Sequence, residues 1–200
     1  MRVLVPTESF FWRVGQEIFP IKNPFLDYNF WSRYLDVFSE VYVTGRIKDS
    51  EELPSQLPRA DGKGVHFIAL PAWDNSWEYL LHRKQTVRIL EDTISDCAVC
   101  LRAPTLVSTL MYRYLQKRSR PYGVEVVGDP WDALQPGTVR TALRPLLRLK
   151  YYLELGKICK SASVSAYVTE KVLQRRYPPA VGTFTTHFSS INLEDDAFMP

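Results

Sequence analysis

Short apolar runs and amphipathic stretches alternate along the whole chain. Residues 2–5 are apolar apart from Arg2 and are stopped by Pro6, as a buried strand would be. Residues 7–27 contain Gly15, Pro20 and Pro24 without clear periodicity, which predicts a long loop of the kind that usually carries function or is disordered. From Tyr28, apolar positions at Trp31, Tyr34, Leu35 and Phe38 predict a helix with one buried stripe. Residues 41–43 make a second strand, followed by a polar loop over 45–64, and residues 65–70 make a third. Asn75 and Glu78 form a capping-box-like start to a helix whose stripe is Trp77, Leu80, Leu81, Val87, Leu90 and Ile94. A fourth strand at 97–101, a helix over 105–116 and a fifth strand at 124–127 follow. Residues 139–160 read as helical, with Pro145 marking a kink or a fresh start. A sixth strand at 163–168 and the helical piece TEKVLQRRYP complete the pattern.

Strands that are continuously apolar, separated by helices, predict a mainly parallel sheet covered on both faces. Right-handed crossovers then give an α/β, Rossmann-like, doubly wound arrangement, expected as a single domain over residues 1–200. In such a sheet the strand C-terminal ends share one edge, where ligand chemistry is placed. That edge would gather the loops after Pro6, Leu70, Leu101, Gly128 and Val168.

A net charge of +3 is too small to argue for nucleic acid, and none is expected as a partner. Its distribution is more informative, with one basic cluster at Arg113, Lys117, Arg118 and Arg120 and another at Arg140, Arg144, Arg148 and Lys150. Arg140, Arg144 and Arg148 are four apart and share one helix face, with Leu143, Leu146, Leu147 and Tyr151 on the other. Such a face is either simply solvated or drawn to anionic lipid headgroups. Aromatics in predicted loops (Phe10, Phe11, Trp12, Phe25, Trp73, Trp131) either cap the core or contact sugar or lipid. No run reaches the roughly 18 apolar residues of a membrane span, and MRVLVPTES lacks signal-peptide architecture. The expectation is a cytoplasmic protein, at most peripheral on the inner face of a membrane. Cys97 and Cys100 lie on opposite faces of a strand, and His66, His82 and His187 are scattered, so free thiols are expected, with no disulfide and no metal.

No G-x-G-x-x-G follows the first strand, no G-x-x-x-x-G-K-[ST] occurs, and no G-x-S-x-G is present. The candidate site is therefore the set of strand-end groups: Phe11, Trp12, Arg13 and Gly15 after the first strand, Trp73 and Asp74 after the third, and Arg102 after the fourth. Asp129, Trp131 and Asp132 follow the fifth, and Thr169 and Glu170 the sixth. Plainer roles exist for several of them. Asp129 before Pro130 could organise a turn, Arg102 could pair with that carboxylate, and Thr169 could cap the last helix with Glu170 in its first turn.

The strings YGVEVVGDPWD, RAPTLVSTLMYRYLQKRSRPYG and SVSAYVTEKVLQRRYP resemble the N-terminal domain of GT-B glycosyltransferases of the retaining, GT4-like superfamily. The tail FTTHFSSINLEDDAFMP resembles the segment that leads from that domain into the second Rossmann-like domain. The resemblance implies that this domain binds the acceptor, that a C-terminal domain absent from these residues grips the nucleotide-sugar donor, and that the reaction needs no metal. The family commonly places a histidine after the fifth strand, where this chain has Gly128-Asp129, and its Gly-Gly turn after the first strand is reduced to Gly15. Asp129 is then the candidate catalytic group. Trp131, Asp132 and Arg102 suit sugar stacking and hydroxyl fixing beside an oxocarbenium-like transition state.

The implied function is the acceptor-binding half of an enzyme of cell-surface polysaccharide biosynthesis, inactive alone and without a bound cofactor. Its partners would be a glycan or lipid-linked acceptor, an anionic membrane surface, and a donor domain in cis or in trans. Two alternatives are a stand-alone membrane-docking subunit of a split glycosyltransferase and a non-enzymatic α/β binding module.

Overall fold

The computed structural model describes residues 1–52, 57–74, 76–138 and 141–189. The chain divides into two compact units, one formed chiefly by Met1–Ala98 and the other by Val99–Phe188.

In the first unit, β1 (Arg2–Val5) runs parallel to β4 (Glu40–Asp49), and β4 is flanked in parallel by β5 (Val65–Leu70). The segment expected as a long loop instead contains β2 (Phe10–Val14) and β3 (Glu17–Pro20), an antiparallel pair that turns at Gly15 with φ +60°. β1 and β2 lie one after the other along β4, opposite residues 40–43 and 46–49. Between them the chain leaves the sheet at Pro6 and is pinned by two bonds. The Thr7 N–H donates to Thr44 Oγ1 (3.0 Å), and the Thr44 hydroxyl donates to the Thr7 carbonyl (2.9 Å). The polar stretch GRIKD, expected as loop, is therefore the second half of a ten-residue strand. Its partner β2 is remote in sequence, and cross-strand pairing overrides local propensity here.

The helix expected from Tyr28 is shorter than its stripe suggests. It comprises α1 (Tyr28–Ser32) and a 3-10 turn over Arg33–Asp36. Asp27 caps α1 by accepting the Phe30 N–H (2.9 Å), and the buried Trp31 indole donates to the Leu26 carbonyl (2.9 Å). In α2 (Ser76–Thr93) the expected stripe is buried only in its C-terminal part. Leu90 is buried, as is Ile94 just past the helix end, while Trp77, Leu80 and Leu81 are exposed. Asn75, the expected cap, lies outside the described residues.

In the second unit, β6 (Cys97–Ala103), β7 (Gly123–Val126), β8 (Val164–Tyr167) and β9 (Phe184–His187) pair in chain order, all parallel. β9 carries FTTH, exposed throughout, and has no apolar run by which to predict it. The helices are α3 (Leu106–Lys117), α4 (Pro130–Ala133), α5 (Arg144–Ser161) and α6 (Val172–Arg176). Thr105 and Ser108 form a reciprocal capping box on α3 (2.9 and 3.0 Å). Pro145 opens α5 rather than kinking a longer helix, since a first-turn N–H has no intrahelical bond to lose.

Cys97, Cys100 and Cys159 are free thiols. Burial pushes the Cys159 thiol up to about 12. An unfolded thiol ionises near 9, so stability is unaffected below that pH and falls as pH rises from 9 toward 12. Cys97 and Cys159 are expected to resist iodoacetamide in the native protein at pH 8 and to react fully in denaturant. Mass spectrometry of alkylated peptides checks this, and equal native and denatured labelling would contradict it. Among the described residues, no helix is long and apolar enough to cross a membrane.

Candidate functional site

In the second unit, β7 ends at Val126, and Val127-Gly128 lead on to Asp129, the N-cap of α4. Asp129 Oδ1 accepts the Trp131 N–H (2.9 Å) and the Tyr177 hydroxyl (2.6 Å), and Oδ2 pairs with the Arg176 guanidinium. Arg176 also reaches Asp132 (2.9 Å), and these carboxylates hold its guanidinium above the usual range. Burial, and then the bond to Asp129, push the Tyr177 phenol well above its ordinary value, so it stays a donor. A carboxylate with three donors and a 12% exposed side chain is a clamp tying α4 to α6. The open carboxylate of this loop is Asp132, 58% exposed. Arg176 and Tyr177 were not among the sequence candidates. They sit 47 and 48 residues from Asp129, and no local pattern signals the pairing.

Arg102 does not pair with Asp129. It lies within β6 and donates to Glu125 Oε2 on β7 (2.6 Å), with which it is in register, and both side chains are nearly buried. This pair belongs to the sheet face. Thr169 is not the N-cap of α6, a position held by Lys171, although its hydroxyl accepts the Leu173 N–H (2.9 Å). Glu170 is exposed and lies beside Lys171 (3.4 Å).

In α5 the arginines face inward, against the sequence expectation, with Leu147 and Tyr151 half-buried on their side and only Leu143 and Leu146 of the expected apolar face exposed. Arg144 donates to the Leu134 carbonyl (3.2 Å), and Arg148 donates to the Trp131 carbonyl (2.7 Å) with its guanidinium 3.8 Å over the Trp131 ring. These arginines fix α4, and Trp131 is held between Arg148 and the edge of Tyr152. Arg140 lies outside the described residues.

In the first unit, Phe11 is fully buried against Phe67, which removes it from any ligand surface. Trp12 on the same strand is half-buried. Trp73 is also buried, and the Arg46 guanidinium lies near its ring while stacking on Phe10 at 3.6 Å. Asp74 pairs with Lys48 (3.2 Å). Arg13 and Gly15 do come together, on the rim of an open concavity of about 1100 Å³ that also presents Tyr28, Arg59, Asp61 and His66. Arg13 forms a two-pronged pair with Asp49 (2.7 and 3.3 Å). Arg59 grips Asp61 with two bonds of 2.9 Å and reaches Glu17 at 2.6 Å. Burial would raise the Asp61 carboxyl, but Arg59 and the Ile18 N–H (2.7 Å) outweigh it and hold it below its ordinary value. Sequence reasoning missed Tyr28, Arg59, Asp61 and His66, because a polar loop and a strand edge carry no periodic signal. The chemistry of this concavity, with paired charges beside aromatic rings, suits a polyhydroxylated ligand more than an apolar one.

No protein family model matches this sequence. The chain is 28% identical over 153 residues to Protein CapJ of Staphylococcus aureus, a match that covers 74% of this chain and 37% of that protein. It thus spans well under half the length of that relative. Its structure is similar to that of a UGT transferase from Siraitia grosvenorii solved in complex with UDP. The TM-score is 0.50 at 10% identity, covering 98% of this chain and 52% of the other. What this likeness establishes is the fold, a Rossmann-like α/β arrangement with a mixed, mostly parallel sheet.

Proposed function

We propose that this chain is the acceptor-binding part of a GT-B glycosyltransferase, of GT4-like type, that moves a sugar from a nucleotide-sugar to a glycan or lipid-linked acceptor in cell-surface polysaccharide biosynthesis. The observation that carries this reading is the span of the fold likeness. Nearly all of this chain corresponds to about half of a transferase that holds UDP. In this reading the donor is gripped by a further domain, in cis or in trans, and the chain needs no metal or cofactor of its own. Glycosyl transfer builds positive charge at the sugar carbon in its transition state, and oriented carboxylates stabilise that charge.

The acceptor would lie in the first-unit concavity. Arg13 and His66 would fix hydroxyls there, and Tyr28 would offer a ring face. In the second unit Asp132 and Trp131 are the groups presented for a sugar, while Asp129 holds their loop in place.

A glycan array probed with the wild-type chain tests this directly. Arg13→Ala and His66→Ala are each expected to weaken binding to the array hits by about tenfold, with unchanged thermal midpoints, as for loss of one hydrogen bond. With UDP-, GDP- or ADP-sugars and those hit glycans, the chain alone is expected to transfer nothing. Transfer by the chain alone would overturn the two-domain reading, and an array without hits, or hits indifferent to both substitutions, would remove the acceptor site.

A further inference from the structure

The inward setting of the α5 arginines leaves another face of the helix outward. With Arg144 and Arg148 engaged against α4, the helix presents Leu146, Leu149, Lys150, Leu153, Lys157 and Lys160 outward, at spacings of three and four that share one face. Leu146 is 66% exposed, Leu149 and Leu153 are each 49% exposed, and Leu143 at the N-cap is 61% exposed. Soluble surfaces scatter single leucines. A row of four along a helix about 27 Å long is a contiguous apolar strip.

The charge around the strip is of one sign. The outward charges of α5 are Lys150, Lys157 and Lys160, and the single acid of residues 143–161, Glu154, is engaged by Arg113 of α3 at 2.6 Å. Lys150 lies among the leucines, and Lys157 and Lys160 follow them along the helix. Lys150 also lies 5.0 Å from the Tyr151 ring, where a long aliphatic stem can cover apolar surface while its ammonium stays in water. A protein partner would be expected to meet such a strip with matched acids at fixed places. A fluid anionic surface needs only apolar side chains that enter the headgroup boundary and cations on long stems that reach back to the headgroups from the same face, as snorkelling lysines do.

We infer that the outward face of α5, centred on Leu146, Leu149, Leu153, Lys150 and Lys157, docks the chain on an anionic lipid bilayer with the helix lying in the interface plane. This moves the membrane contact from the basic stripe expected from the sequence to the side of α5 opposite Arg144 and Arg148. Docking by α5 does not depend on glycosyl transfer, and either could fail without the other.

Flotation of the full chain with vesicles of phosphatidylcholine, with and without phosphatidylglycerol, reads this out. The wild type is expected to float with the mixed vesicles and to bind pure phosphatidylcholine at least about tenfold more weakly. Lys150→Glu with Lys157→Glu should lower binding to the mixed vesicles by at least about tenfold and erase the difference between the two lipids. Leu146→Glu with Leu149→Glu should lower binding to both. All four positions are exposed, so the thermal midpoint should stay at the wild-type value in both double variants. Wild-type protein that does not float, or flotation that both double variants leave unchanged, would overturn the inference. So would a concentration-dependent dimer, seen by size exclusion, that the leucine variant dissolves while the wild type ignores vesicles.

Discussion

Phe11→Ala is expected to lower the stability of the protein by about 3–5 kcal/mol, the usual cost of deleting a buried aromatic ring. Phe11 is 0% exposed and meets Phe67 edge-on at 4.8 Å, so its removal loses both burial and a favourable ring contact. The ring occupies space left by Gly45, where a Cβ would fall 2.5 Å from Phe11 Cδ2. Gly45→Ala alone should therefore overpack the site and cost about 1–3 kcal/mol. With Phe11→Ala in the same chain, that clash is gone, and the two changes together should cost less than their sum. Urea denaturation of the three variants measures the coupling. Additive costs would mean that Phe11 does not sit over Gly45. The folded fraction of Phe11→Ala should bind glycan hits as the wild type does, since the ring faces the core.

Asp129→Ala is expected to cost about 3 kcal/mol, a sum of distinct losses. The Trp131 N–H loses its cap, worth about 1 kcal/mol. The hydroxyl of the buried Tyr177 loses its acceptor, and Arg176 keeps only the more exposed Asp132. Asp129→Asn retains an oxygen for both the cap and the phenol and should cost about 1 kcal/mol. Thermal melts by circular dichroism give the order expected: wild type, then Asn, then Ala, with a midpoint drop of about 2–4 °C per kcal/mol. An Asn variant as stable as the wild type, yet unable to support transfer when the donor domain is supplied, would make Asp129 a reacting group and not a clamp.

Much of the fold is legible in the sequence. Arg2–Val5 and Val65–Leu70 are strands at the residues where their apolar runs begin and end. The helix over 106–117 and the strand at 123–126 lie within a residue or so of their periodic signals, because burial on one face or both imprints a regular pattern. Short or half-exposed elements carry little such imprint. β2, the second half of β4 and all of β9 exist because a strand distant in sequence supplies their hydrogen bonds, and β3 adds to β2 across the Gly15 turn.

The candidate site divides in the same way. The sequence indicated that the loop after β7 would be special, since Asp-Pro-Trp-Asp closes an apolar strand, and that Arg13 and Gly15 would be available near a sheet edge. It left open whether Asp129 only organises its turn and whether Phe11 only caps the core, and it did not show what each group touches. Arg102 is taken by Glu125 through strand register, Asp129 by Arg176 and Tyr177 from a helix nearly fifty residues on, and Phe11 by the core.

The face of α5 illustrates the reason. Helical spacing alone puts Arg144 and Arg148 on one side and Leu146 on another. Which side turns inward depends on partners, and here the Leu134 and Trp131 carbonyls and the Trp131 ring hold the arginines. The amino-acid sequence by itself determined the α/β alternation, the parallel strands and the residue types available for chemistry, because those follow from local periodicity. Only the tertiary structure decided which charges are neutralised, which aromatics are buried and which helix face is exposed. Those outcomes rest on contacts between residues tens of positions apart, which leave no trace in the spacing of neighbours.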